Sequence, residues 1–369
     1  MADLSACRTP RLGGRIEQCS CCGRREYLYN SCRNRHCPKC QGGERAAWLD
    51  REAGYLLPVE YHHLVFTLPR PVAQLARHNR RLIYNLLFEA ARRSVQEVAA
   101  NPKHLGAQVG LTAVLHTWGQ TLSLHPHLHV MATGGGLSCD AGGRIDEQPV
   151  WRSCRPGFFL PVRVLSALFR SKFLAGLHEA YRRGQVRLEG AHAGLASPQA
   201  WAAWLRSLRS QPWVVYSKPP SAGAEVVLKY LARYTYRVAI SNRRLVRVDA
   251  EQVTFSYKDY RRGGKSRETT LSVGAFARRF LQHVLPVGFV RVRHYGLLAN
   301  RGREEKLQQC RRLLLPEGVP QRPGEALASG PGEAAGRRLC PVCGKGEMEV
   351  VEVLAAWPRG AREVHADSS

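Results

Sequence analysis

The sequence predicts an α+β fold, an antiparallel sheet covered by helices, preceded by a small metal-stapled unit. Three observations carry this. Strand-length apolar runs at 61–68, 109–118 and 122–132 are interleaved with helical periodicity at 72–99, 164–183 and 198–209. Residues 7–45 are rich in cysteine and poor in apolar periodicity, so this segment needs a staple in place of a core. No self-similarity at periods of 20–50 residues points to a solenoid or propeller.

Taken in order, residues 46–57 read as a helix, and 61–68 as a strand stopped by Pro69. A long helix follows at 72–99, with Leu75, Leu82, Leu86 and Ala90 near one face. Two strands come next, and Gly134, Gly135 and Gly136 are expected to turn the chain. After the helices at 164–183 and 198–209, Val214–Tyr216 reads as a short strand. A helix at 222–234 has Ser221 as N-cap. Residues 237–241, 244–248 and 252–257 alternate as a meander of strands, and 274–284 is helical. The stretch 316–337, rich in Gly, Pro and Glu, reads as a linker, and Cys340–Gly344 as an isolated knuckle. These readings give an N-terminal zinc-binding, DNA-recognition domain at 1–60, a central domain at 61–303 and a linker and tail at 304–369.

Charge narrows the partner. Lys and Arg total 55 against 29 acids, a formal net charge of +26. Such an excess favours polyanions through counterion release, and Arg forks match phosphate geometry. DNA is therefore the expected partner. No run of about 18 apolar residues suggests a membrane span. Met1–Pro10 lacks the basic and apolar regions of a secretory signal, so a cytoplasmic location is expected.

The 12 cysteines include C-x-x-C pairs in a long, apparently intracellular chain, a pattern of metal binding and not of disulfides. Cys19-x-x-Cys22 and Cys37-x-x-Cys40, fourteen residues apart, suit one tetrahedral zinc. Cys7, Cys21, Cys32 and His36 are further donors that allow a second zinc or alternative ligation. Cys340-x-x-Cys343 is half a site, with Cys310 a lone companion. Arg33 and Arg35 make the finger basic, as a phosphate backbone or structured DNA end requires.

His125–Pro126–His127–Leu128–His129 carries the central motif. In a strand, His127 and His129 project from one face while Leu128 points to the other. Two imidazoles there can hold a divalent cation with positions left open for substrate oxygen. The third ligand is open between His125 and an Asp, Glu or Gln elsewhere.

Lys229–Tyr230–Leu231–Ala232–Arg233–Tyr234 places two tyrosines at i and i+4, one turn apart on a helix face, with Tyr236 offset. Lys229, Arg233 and Arg237 surround them. A phenol among cations loses its proton more easily, and phenolate attacks phosphorus.

The segments RLGGRIEQCSCCG, YNSCRNRHCPKCQ, VFTLP, GQTLSLHPHLHVMATGGGLS, KYLARYTYRVAISNRRL and RRFLQHVLPVGFVRVRHYGLLANR resemble, in order, the insertion sequence 91 family of transposases, within the wider HUH endonuclease group. The resemblance covers about residues 7–303. It implies a ferredoxin- or RRM-like HUH core with the histidine pair on a central strand. It implies rolling-circle transposition through single-stranded DNA, with Mg or Mn at His127 and His129, structural Zn, and Tyr230 and Tyr234 as nucleophiles. A 5′-phosphotyrosine and a free 3′-hydroxyl should result. Arg33, Arg35, Arg233 and Arg237 are the candidate DNA contacts. Tyr236 departs from the family pattern, which more often has His there, and the tail beyond 303 is divergent. The same chemistry would serve a rolling-circle replication initiator or relaxase. A non-catalytic zinc-dependent DNA-binding protein would explain charge and zinc, but not the histidine pair with the tyrosine helix.

Overall fold

The computed structural model describes residues 6–34, 37, 40, 48–218, 239–315 and 338–357. The chain divides into two units, one of Met1–Trp48 with Glu325–Ser369 and one of Leu49–Gly324.

The smaller unit is built on three strands: β1 (Gly14–Cys19), β2 (Arg25–Tyr29) and β12 (Met348–Leu354). β1 lies in the middle, antiparallel to both neighbours; Gly14 is opposite Tyr29 on one side and Leu354 on the other. Glu17 on β1 is buried and takes hydrogen bonds from Arg15 Nε at 2.6 Å and Arg338 at 3.0 Å. Arg338 also pairs with Glu26 on β2. The tail, expected as linker and isolated knuckle, is corrected here: residues 338–357 belong to the N-terminal zinc-binding sheet. Alternation within Met348–Leu354 is weak because only Met348 of that strand is buried, so periodicity could not announce it.

The larger unit holds a six-stranded antiparallel sheet in the order β11-β4-β5-β3-β7, with β6 pairing β5. These strands are β3 (Tyr61–Thr67), β4 (Ala107–Trp118), β5 (Leu124–Ser138), β6 (Trp151–Ser153), β7 (Val215–Lys218) and β11 (Val292–Gly296). One sheet face is the core. Leu64 and Phe66 of β3, Leu128 and Val130 of β5, and Leu111 and Leu115 of β4 pack against helices α2 (Arg80–Ala100) and α3 (Val162–Arg182). Phe66 meets Phe169 edge to face, with centroids 5.1 Å apart. The fold is thus α+β, antiparallel sheet with flanking helices, as expected.

Two local expectations are corrected. The helix expected at 72–99 is broken into α1 (Arg70–Leu75) and α2 by Asn79. Its amide donates to the carbonyls of Leu75 and Arg187 and accepts from the Arg187 backbone N–H, satisfying groups that a continuous helix would not. The glycine triplet does not turn the chain, because β5 runs through it to Ser138. A Cβ at Gly136 would lie 2.1 Å from the Gln108 carbonyl oxygen, and one at Gly135 2.6 Å from that of Arg152. The glycines are there for close approach of neighbouring backbones.

A second sheet, β8 (Leu245–Val248), β9 (Gln252–Asp259) and β10 (Lys265–Ser272), carries helix α5 (Val273–Leu281), capped by Ser272. Phe255, Phe276 and Phe280 enclose Leu122 and Trp118, so this sheet grips the β4–β5 tip. Leu122 sits there at φ +60°, its carbonyl accepting from Gln282 Nε2 and His283. Further helices are α4 (Pro198–Ser210) and α6 (Arg303–Leu314), the latter within the segment expected as linker and tail. No helix among the described residues is long and apolar enough to cross a membrane.

Candidate metal centre

β5 has core on one side and histidines on the other. Leu128 is fully buried in the core. His127 and His129 project from the opposite face, with Nε2 atoms 3.1 Å apart. On one side of β5, His116 of β4 stands opposite His127; on the other, Val65 of β3 stands opposite His129. The ring nitrogens of His116, His127 and His129 lie within 4.8 Å of one another. Among the described residues, the side chain that joins His127 and His129 as a candidate third ligand is His116, in place of His125 or a carboxylate. Its signal was a lone histidine in a mainly apolar strand, and only the β4–β5 register gives it meaning.

Hydrogen bonds orient the rings. His127 Nδ1 lies 2.7 Å from the His125 carbonyl, which can only accept, so His127 carries its proton there and offers the Nε2 lone pair. His129 Nδ1 lies 2.8 Å from Nε2 of His63 on β3. With that proton on His129, its Nε2 lone pair also points at the common centre. Burial holds His127 down to about 4 and His116 and His129 well below the ordinary imidazole value. Neutral imidazole is the form that binds metal. Arg291, whose guanidinium lies over Trp118, bears on His116, and Lys218 on His63. Cations beside the centre favour an anionic ligand there.

Tyr230 and Tyr234, with Arg233 and Arg237, lie outside the described residues, as do Arg35, His36 and Tyr236. Arg33 is exposed at φ +48° in the smaller unit.

The cysteines form two tetrads, which corrects the single Cys19, Cys22, Cys37, Cys40 site. Cys7, Cys32, Cys37 and Cys40 gather in one group, and Cys19, Cys22, Cys340 and Cys343 in another. Cys19 ends β1 while Cys37 and Cys40 sit beyond β2, and the two pairs each find different partners. In the first tetrad Cys40 Sγ is 3.4 Å from Cys7 Sγ and 3.7 Å from Cys32 Sγ. Tetrahedral Zn–S bonds of about 2.3 Å set an S···S edge of about 3.8 Å. The thiols fit zinc.

Residues 110–306 match the family model described as a putative transposase, and residues 1–68 the model described as a transposase zinc-binding domain. The chain is 47% identical over 359 residues to the putative transposase y4qJ of Sinorhizobium fredii, covering 96% of this chain and 88% of that one. It is 30% identical over 301 residues to the transposase for insertion sequence element IS801 of Pseudomonas savastanoi pv. phaseolicola, covering 81% and 69%. A slight likeness extends to a solved conjugative relaxase, TrwC, in complex with oriT DNA and metal-free: 12% identity, TM-score 0.23, over 47% of this chain and 71% of that one. The class is thus a transposase with a zinc-binding domain. The chain belongs to the insertion sequence 91 family of transposases.

Proposed function

We propose that this protein nicks and rejoins single-stranded DNA in rolling-circle transposition, through a tyrosine-linked intermediate on an HUH core. The convergence of His116, His127 and His129 on one sheet face carries the reading. These residues would hold a divalent ion, which supplies a Lewis acid to the scissile phosphate. Imidazoles suit Mg poorly, so Mn is the better of the two ions expected.

The phenolate of Tyr230 or Tyr234 attacks phosphorus, the P–O3′ bond breaks, and the 3′-oxygen leaves as a hydroxyl after taking up a proton. The 5′-phosphate stays on tyrosine. Attack by another 3′-hydroxyl reverses the step and rejoins the strand. The second tyrosine allows a second transfer before release. Arg233 and Arg237 would neutralise the phosphates around the phenols, and Arg33 and Arg35 would hold DNA at the zinc-binding domain. The β9–β10 hairpin adds a path for the strand. It exposes Tyr260, Arg262, Lys265 and Arg267, and its sheet holds the β4–β5 tip, whose strands bear the histidines. A base stacked on Tyr260 would contribute about 1–3 kcal/mol.

The test is a labelled single-stranded DNA carrying both ends of the source element, incubated with Mn or Mg and run on a denaturing gel. The expected result is a protein-linked band that disappears with His127→Ala and with Tyr230→Phe plus Tyr234→Phe. DNA binding without a linked band under either metal, from folded zinc-loaded protein, would leave a non-catalytic DNA-binding protein.

A further inference from the structure

The zinc-binding family match ends at residue 68, yet half of one cysteine tetrad lies beyond residue 339. The two contributing pairs are built alike, as Cys19-Ser-Cys-Cys22-Gly23 and Cys340-Pro-Val-Cys343-Gly344. In each, the glycine N–H donates to the first cysteine's carbonyl, at 3.2 Å for Gly23 and 2.9 Å for Gly344. Both glycines have φ near +70°, at +70° and +65°, a turn open to residues without Cβ. Backbone N–H groups also point at sulfur: those of Cys21 and Cys22 at Cys19 Sγ, and that of Gly346 at Cys343 Sγ. Such donors stabilise thiolate charge.

The two knuckles face each other across the β1–β12 pairing. Cys19 Sγ lies 3.7 Å from Cys343 Sγ, and Cys22 Sγ 3.7 Å from Cys340 Sγ. A disulfide needs about 2.05 Å, whereas the edge of a zinc–thiolate tetrahedron is about 3.8 Å. Cys340 N–H donates to the Gly346 carbonyl at 2.8 Å, and Ser20 N–H to the Glu347 carbonyl at 2.9 Å, so the backbones are locked beside the sulfurs. A Cβ at Gly346 would sit 2.4 Å from Cys19 Sγ, so this approach tolerates no side chain.

We propose that Cys19, Cys22, Cys340 and Cys343 hold a second structural zinc, one that joins the two chain segments flanking the Leu49–Gly324 unit. The zinc-binding domain is then discontinuous, and the tail is one of its working parts. Four thiolates and no open position make the site structural.

The test counts zinc per full-length chain in a His127→Ala, His129→Ala background, which removes imidazole-held metal. Two ions are expected. Cys340→Ser with Cys343→Ser should leave one, and adding Cys19→Ser and Cys22→Ser should remove no more, because both pairs serve the same ion. Two ions retained after Cys340 and Cys343 are replaced would overturn the proposal. A second measurement needs no variant. In the zinc-loaded wild type, Cys19, Cys22, Cys340 and Cys343 should resist alkylation and become reactive together when a chelator is added. Free reaction of Cys340 and Cys343 in the zinc-loaded protein would equally overturn it. Neither readout depends on DNA cleavage.

Discussion

At the Nε2 atoms of His127 and His129, a proton and the proposed metal ion would compete for the same lone pairs, and the neighbours decide between them. The His125 carbonyl fixes one ring, and His63 the other at 2.8 Å. His63 does not belong to the converging trio, so its effect passes through His129. Replacing His63 by Ala should weaken Mn binding by about 10- to 100-fold while leaving the fold intact, the usual cost of losing such a partner. His116→Ala would remove one of the three proposed ligands outright and should weaken binding further. Titration followed by Mn electron paramagnetic resonance would read both, and equal affinity in the His63 variant would remove its positioning role. The pair itself was legible because i and i+2 in a strand share a face. His116 and His63 were not, since their relevance rests on which strands neighbour β5 and in what register.

Among the elements, β5 shows how a composition signal can mislead. Three consecutive glycines suggest a turn, yet β6 and β4 crowd this strand from both sides. Gly136→Ala would place Cβ 2.1 Å from a carbonyl oxygen that belongs to the sheet ladder and cannot step aside. Overpacking of this kind costs about 1–3 kcal/mol or more. The expected readout is a clear fall in denaturant midpoint with m unchanged. An unchanged midpoint would mean that β5 and β4 can separate freely there. The same limit hid β12 and joined α1 to α2. Local pattern reports which residues prefer an element, while pairing and a single buried amide such as that of Asn79 decide where it stops. The core strands β3 and β4 were readable because their apolar residues recur at strand length between clear stops.

At the scale of the whole molecule, buried imidazoles govern the response to acid. Burial holds His63, His127, His283 and His294 down to about 4. Between 6.5 and 4 the unfolded chain binds these protons and the folded chain does not, so stability is unaffected above 6.5 and falls as pH drops toward 4. Each group contributes a slope of about 1.4 kcal/mol per pH unit in that window. Glu52, pushed up to about 7 by burial, works the other way, costing stability as pH rises from 4.5 to 7. One carboxyl cannot offset four imidazoles, so acid destabilisation wins. His283 isolates the effect, since it is 2% exposed, accepts from Thr117 and donates to the Leu122 carbonyl, and is not one of the three converging rings. Thermal unfolding without added Mn should show the melting temperature falling steadily from pH 6.5 to pH 4.5, and His283→Gln should lower that slope by about one proton. A ligand that needs the same rings neutral adds to the contrast, so Mn should raise the melting temperature at pH 7 and do so less at pH 4.5. A flat profile, or a slope unchanged by His283→Gln, would mean that these histidines take up protons in the folded protein after all.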